Sequence, residues 1–241
     1  MRAPADEPGI TIEPLGETRL LLRFGGRIDA GLNAQVHAAA AILGAAGLAG
    51  VGDLVPSYAS LALAYDPAAW ATGDRPPWQR LAAAARAALA ASRPGAAPPR
   101  HSIVVPVRYG GAHGADAGAV AARCGLTLDE LVACHAAADY RGAMLGCAPG
   151  FAYLLGLDPR LHAPRRAEPR VRVPAGSVAI GGAQTGIYPS ELPGGWQLIG
   201  RTPLRLFDPA RTPPCPLAAG DRVRFRPIGD DEFADLAARA Q

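Results

Sequence analysis

Arg160, Arg165, Arg166, Arg170 and Arg172 stand within thirteen residues, with Glu168 as the only acidic residue between them. A guanidinium is a planar fork that binds carboxylate or phosphate through paired hydrogen bonds. Pro164 and Pro169 bracket the Arg165–Arg166 pair and stiffen the loop, which lowers the entropy cost of holding an arginine on a ligand. Arg165, Arg166 and Arg170 therefore read as an anion-binding or subunit-contact set, and Arg160 and Arg172 as solvated charges. Downstream, Gln184, Thr185 and Tyr188 sit in a glycine-flanked turn, Gly181 to Pro189. An amide, a hydroxyl and a phenol can hold an amide or lactam by hydrogen bonds; a tight hairpin with surface polar residues is the alternative. Trp196 follows Pro193-Gly194-Gly195 and reads as core or interface, with ligand stacking as the other use of such a ring.

The same residues exclude several chemistries. All 24 basic residues are arginine. A chain without lysine has neither a Walker A lysine nor a Schiff-base amine, and no G-x-G-x-x-G loop is present. Ser177 lacks a Gly-x-Ser-x-Gly elbow, so a serine nucleophile is not expected. Cys124, Cys134, Cys147 and Cys215 form no C-x-x-C pair and indicate neither a zinc site nor a disulfide framework. No metal site is expected, and Cys147 is expected to be a small buried side chain. The net charge of +3 gives no reason to expect nucleic-acid binding. No apolar run approaches a membrane span, and no basic region precedes an apolar one at the N-terminus. A cytoplasmic protein with reduced cysteines is the expectation.

These residues need a scaffold. The run Ser-Arg-Pro-Gly-Ala-Ala-Pro-Pro-Arg at 92–100 cannot hold regular structure. It divides the chain into an N-terminal α+β domain (1–92), a linker (93–100) and a second domain (101–241) that carries the functional segment. Before the linker, strands are expected at 19–24, 50–55 and 59–65, and helices at 33–43 and 76–91, the second with proline in its first turn. The β-α-β-β-α order suggests a small ferredoxin-like α/β sandwich. After it, a strand over 103–108 is expected near an edge because of Pro106. Two helices follow, and the second opens on the capping box Thr127-x-x-Glu130. Leu128, Leu131, Val132 and His135 recur at i, i+3, i+4 and i+7, so His135 points inward. It reads either as a core histidine or as a proton carrier. Short strands at 171–173, 177–180, 197–199, 204–207 and 223–225, separated by Gly/Pro turns, indicate a barrel or sandwich. The last, Arg222-Val223-Arg224-Phe225-Arg226, alternates charged and apolar residues.

Five motifs in order carry a family resemblance: Gly-x-x-Pro-Gly-Phe-x-Tyr-Leu at 146–154, Pro-Arg-Arg-x-x-Pro-Arg at 164–170, Val-Pro-Ala-Gly-Ser-Val at 173–178, Gly-Gly-x-Gln-Thr-Gly-x-Tyr-Pro at 181–189 and Pro-Gly-Gly-Trp-x-Leu-Ile-Gly-Arg-Thr at 193–202. With these, the chain resembles the family that holds the B subunit of 5-oxoprolinase (PxpB), allophanate hydrolase subunit 1 and KipI, the carboxyltransferase subdomain C and D proteins. Weaker matches extend upstream at Tyr109-Gly110-Gly111, Leu131–His135 and Val55-Pro56-Ser57-Tyr58. Ala152 and Ala148 depart from the family pattern, as does the turn Gly114-Ala115-Asp116-Ala117. The resemblance implies a cyclophilin-like β-barrel and one component of an ATP-dependent enzyme, inactive alone, that opens 5-oxo-L-proline to L-glutamate. It implies two partners, the homologous barrel protein that forms the C subunit and a LamB/YcsF-type A subunit, and ATP shared with them. In that reading Arg166, with Arg165 or Arg170, offsets charge on a phosphate or on the substrate carboxylate, His135 relays protons, and Gln184, Thr185, Tyr188 and Trp196 meet the lactam. The alternatives are a KipI-like inhibitor of a sensor histidine kinase and a carboxyltransferase or allophanate hydrolase-type component of urea metabolism.

Overall fold

The structure, a computed structural model, describes residues 9–92 and 101–239. The expected linker 93–100 lies outside the described residues. The chain divides into two compact units, Met1–Pro98 and Pro99–Gln241.

In the first unit, strands β1 (Thr11–Pro14), β2 (Arg19–Arg23), β3 (Val51–Pro56) and β4 (Ser60–Tyr65) form an antiparallel sheet in the order β1-β2-β4-β3. Alternation decides its faces: Leu20, Leu22, Leu61 and Leu63 are fully buried, while Arg19 and Arg23 at the ends of β2 are exposed. The buried face packs on helices α1 (Ala30–Ala45) and α2 (Pro77–Ala91) through Val36, Ala39, Leu43, Leu81 and Ala85. Asp29 caps α1 by accepting from the Leu32 amide. The buried Asn33 amide donates to the carbonyls of Ser57 and Tyr58 and so holds the β3–β4 turn. The β-α-β-β-α reading missed β1, a four-residue strand whose one apolar side chain, Ile12, between Thr11 and Glu13-Pro14, gives it no apolar alternation.

The second unit is a closed, mixed barrel. Among the described residues it has seven strands: β5 (Ser102–Tyr109), β6 (Tyr140–Leu145), β7 (Ala152–Leu155), β9 (Ser177–Gly181), β10 (Gln184–Ile187), β12 (Gln197–Arg201) and β13 (Arg222–Pro227). Their order is β10-β7-β6-β13-β5-β12-β9, with β13 and β5 parallel. A separate pair, β8 (Arg170–Val173) and β11 (Leu192–Gly194), lies outside it. Helices α3 (Ala117–Arg123) and α4 (Leu128–Ala137) follow β5, and α5 (Asp230–Arg239) follows β13. The Thr127–Glu130 capping box is formed at α4.

Three expectations change. β5 is not an edge strand: β13 pairs along it, and β12 pairs only at Arg108 and Tyr109, so Pro106 needs no donor on that side. Residues 204–207 are not a strand, although Leu206 is buried. The glycine-flanked stretch 181–189 is largely strand: β9 turns into β10 through Gly182-Ala183, with Gly182 at φ +67°, as glycine at the first position of a two-residue hairpin loop allows. No helix among the described residues is long and apolar enough to cross a membrane.

Candidate functional site

The arginine segment and the tryptophan meet on the outer face of the barrel. Val178 and Ile180 of β9 and Thr185 and Ile187 of β10 point inward, so Ala179, Gly181, Gln184 and Gly186 point out. The small residues leave room for the Trp196 indole. A Cβ on Gly181 would lie 2.6 Å from its ring, and one on Gly186 would lie 3.1 Å from it and 2.9 Å from the Ala152 carbonyl oxygen. Phe151 and Tyr153 meet the indole edge-on at 5.9 and 5.8 Å. The Arg165 guanidinium carbon lies 5.6 Å from the ring centroid, a cation–π contact. Tyr188 is buried against Phe151, with Gly194 so close that a Cβ there would overlap the phenol oxygen. Burial raises the Tyr188 pKa above the ordinary phenol value. Gly181→Ala is expected to cost about 1–3 kcal/mol by overpacking this seat. Urea unfolding and near-UV circular dichroism read it out; a variant matching the parent in both would show that the indole does not rest on Gly181.

The arginine loop is pinned at two points. The Pro164 carbonyl accepts from Gln197 Nε2 at 2.8 Å, and the Arg166 amide donates to the Gly195 carbonyl at 2.7 Å. Arg166 and Arg170 then converge on Asp116. Asp116 Oδ1 accepts from Arg170 Nη2 at 2.7 Å and from Arg166 Nη1 at 3.4 Å, while Oδ2 accepts from the Leu198 amide at 2.7 Å. Asp116 is 7% exposed, and its own amide donates to the Leu198 carbonyl. One carboxylate thus fixes two arginines to β12 and leaves the cluster of Arg165, Arg166 and Arg170 with surplus positive charge. Arg170 Nη1 is buried with no hydrogen-bond partner among the described residues. The cluster can hold an anion or an acidic partner surface. The solvated reading of Arg160 and Arg172 agrees with their exposed pairs to Asp158 and Glu191.

His135 and Thr185 lie elsewhere, inside the barrel. His135 is fully buried among Tyr109, Tyr140 and Phe225. Its Nδ1 is 2.8 Å from Tyr109 Oη, and its Nε2 is 3.1 Å from Thr185 Oγ. Thr185 donates its hydroxyl proton to the Ala179 carbonyl, so Nε2 carries hydrogen toward Thr185 and Nδ1 accepts from Tyr109. Burial lowers the His135 pKa to about 3. A neutral imidazole with both nitrogens bonded and no exposure does not reach a ligand at the barrel surface. The proton-relay reading therefore gives way to a structural one, in which His135 ties α4 to β10, and Thr185 likewise serves the interior. Gln184, half-exposed at the start of β10, stays on the outer face. Cys147 reverses its expectation: it is exposed, and its φ of +68° places it in the left-handed region beside Tyr153. Sequence reasoning missed Asp116, Phe151 and Tyr153. For Asp116 the available signal was an acid in an otherwise small and apolar turn, upstream of an arginine run that lacked counter-charge.

A family model described as carboxyltransferase domain, subdomain C and D, matches residues 10–217. The chain belongs to this carboxyltransferase-domain family. Within its relatives, the chain is 39% identical over 226 residues to the B subunit of 5-oxoprolinase from Bacillus subtilis (strain 168), covering 92% of this chain and 94% of that one. It is 57% identical over 130 residues to the B subunit of 5-oxoprolinase from Escherichia coli O157:H7, covering 54% of this chain and 60% of that protein. Among solved structures, TTHA0988 superposes with a TM-score of 0.74 at 37% identity, over 88% of this chain and 40% of that one. The chain therefore spans well under half the length of TTHA0988. A urea carboxylase from Kluyveromyces lactis shares the fold at a TM-score of 0.72 and 17% identity, over 100% of this chain and 24% of that one. The five motifs fall within the family match, and the indole seat and the Asp116-held arginines are built largely from them.

Proposed function

We propose that this chain is the B subunit of an ATP-dependent 5-oxoprolinase that opens 5-oxo-L-proline to L-glutamate in the cytoplasm, together with a homologous C subunit and a LamB/YcsF-type A subunit. The observation that carries this reading is the match to the B subunit of a 5-oxoprolinase along 92% of this chain and 94% of the relative. No observation favours the kinase-inhibitor or urea-metabolism readings over it. A lactam is a stable amide, and coupling to ATP supplies the driving force by activating the ring carbonyl oxygen. The residues of this chain do not fit a nucleotide site of their own: it has no lysine and no glycine-rich phosphate loop. Nucleotide handling is therefore assigned to the assembled complex, and the chain is inactive alone.

The part given to this chain is electrostatic. Arg166 and Arg170, held by Asp116, and Arg165, stacked on Trp196, present preoriented cations to a phosphate or substrate carboxylate; such preorganisation lowers the cost of stabilising developing charge. Gln184 on the same outer face is the amide partner proposed for the lactam. In the reconstituted complex, Arg166→Ala is expected to lower kcat/KM about 100-fold, the size of effect seen for loss of one positioned charge donor. Steady-state glutamate release measures it, and full activity in the variant would remove the arginines from the account. On the scaffold, we propose a ferredoxin-like first unit whose outer strand β1 comes from the N-terminal side, and a cyclophilin-like barrel in the second unit.

A further inference from the structure

Three motif segments that the arginine–tryptophan cluster leaves unused come together in a second place. Ala175 and Gly176, Pro189, and Arg201 and Thr202 line a solvent-open groove of about 730 Å³ in the barrel unit. Its floor is a hydrogen-bonded lattice. The Gly176 amide donates to the Tyr188 carbonyl at 2.7 Å, the Thr202 amide to the Gly176 carbonyl at 2.9 Å, and Arg201 Nε to the Ala175 carbonyl at 2.8 Å. Gly176 has φ +80°, and a Cβ there would overlap the Thr202 carbonyl oxygen, so the close approach requires glycine. This lattice fixes the Arg201 guanidinium by its Nε and leaves its two Nη groups. Arg201 makes no ion pair among the described residues. The other charged groups of the groove are already paired: Arg205 with Asp208 at 3.5 Å, and Glu191 with Arg172 at 3.6 Å. Leu204, Phe207 and Phe233 supply an apolar wall. A preoriented, unpaired arginine beside an apolar wall, in a cleft of ligand size, is the pattern of a site for a small molecule with a carboxylate at one end and an apolar body at the other.

We propose that this groove binds the carboxylate of a small cyclic amino acid derivative, with Arg201 as its cation and the Leu204–Phe207–Phe233 wall against its ring. This rests on the 5-oxoprolinase reading for the identity of the ligand, 5-oxo-L-proline; it places the substrate carboxylate on Arg201 and the ring on this wall rather than at Gln184, which does not line the groove, and leaves the phosphate to the arginines held by Asp116. The direct test is a titration of the isotope-labelled chain, followed by amide chemical shifts. 5-Oxo-L-proline should move the amides of Gly176, Thr202 and Leu204. 2-Pyrrolidinone, the same ring without the carboxylate, should leave them in place. Arg201→Gln, its fold checked from the same spectra, should weaken binding at least about tenfold, the equivalent of one charge-assisted hydrogen bond. In the reconstituted complex the same variant should raise the KM for 5-oxo-L-proline about tenfold and leave the KM for ATP unchanged. Absence of shifts with the wild-type chain, equal shifts with 2-pyrrolidinone, or a change confined to the KM for ATP would overturn the assignment. A complex without 5-oxoprolinase activity, together with carboxylate-dependent shifts in the groove, would instead remove the enzyme reading and leave the carboxylate site standing.

Discussion

Between pH 7.5 and pH 5 the protein is expected to lose about 2 kcal/mol of stability through His135 alone. Burial lowers its folded-state pKa from 6.5 to about 3. Between those values the unfolded chain takes up a proton that the folded barrel refuses, so stability rises with pH across this window. The contribution is fully present above the unfolded value and is lost as the pH falls toward 3. Asp139, Asp158 and Asp230, whose arginine partners lower their pKa values, lose their contributions only at more acidic pH, through and below the ordinary carboxylate range. The window from 7.5 to 5 therefore isolates histidine. His113 acts in the same direction, through burial and the charges of Arg201 and Arg108, but it is present in both proteins of the comparison. Urea unfolding at pH 7.5, 6 and 5 should show the wild type losing stability, whereas His135→Asn, less stable at neutral pH, should give a shallower profile that keeps only the dependence due to His113. Parallel profiles would mean that His135 is not the buried neutral group described. The functional consequence is indirect: His135 holds α4 against Thr185 of β10, the strand whose outer face carries Gly186 beneath the indole.

Asp116→Ala is expected to destabilise the protein by about 3 kcal/mol, because it leaves Arg166, Arg170 and the Leu198 amide without their acceptor in a partly buried place. Asp116→Asn keeps one carbonyl oxygen and the turn geometry, so a loss of about 1–2 kcal/mol is expected. The two variants should also separate stability from function. In the reconstituted complex, Asp116→Asn should fold and assemble but lose activity as Arg166 and Arg170 lose their anchor. Thermal unfolding together with glutamate release at a temperature well below the transition reads both quantities. An Asp116→Ala protein as stable as the wild type would show that the pairing contributes nothing to the fold. A fully active Asp116→Asn complex would show that the two arginines need no positioning.

The parts of the fold that were legible in the sequence are those where a local rule and the tertiary structure agree. The capping box at Thr127 marks the start of α4, and the Arg222–Arg226 alternation marks β13, because each rule uses only near neighbours. β1 and β10 were missed for opposite reasons. β1 is too short to show a period, and β10 looked like a turn because its glycine, Gly186, serves the Trp196 seat rather than the backbone. Pro106 suggested an edge, whereas the barrel tolerates it where β12 has not yet begun to pair. At the site, residue type identified the arginines and the tryptophan. What it could not give was direction: Thr185 and Gly186 are adjacent, yet one faces the core and the other the indole, and only strand register decides which. Asp116 could be suspected from the uncompensated arginines but not paired with them, for a related reason. Its partners lie 50 and 54 residues away in the chain, and such a contact leaves no local pattern.

The most direct test of the central claim is ATP-dependent glutamate release from 5-oxo-L-proline, measured with this chain and the proposed A and C subunits, each omitted in turn. Activity with all three, and its loss when this chain is left out, is the predicted result. Activity that persists without this chain would contradict its assignment as an obligatory part of the enzyme.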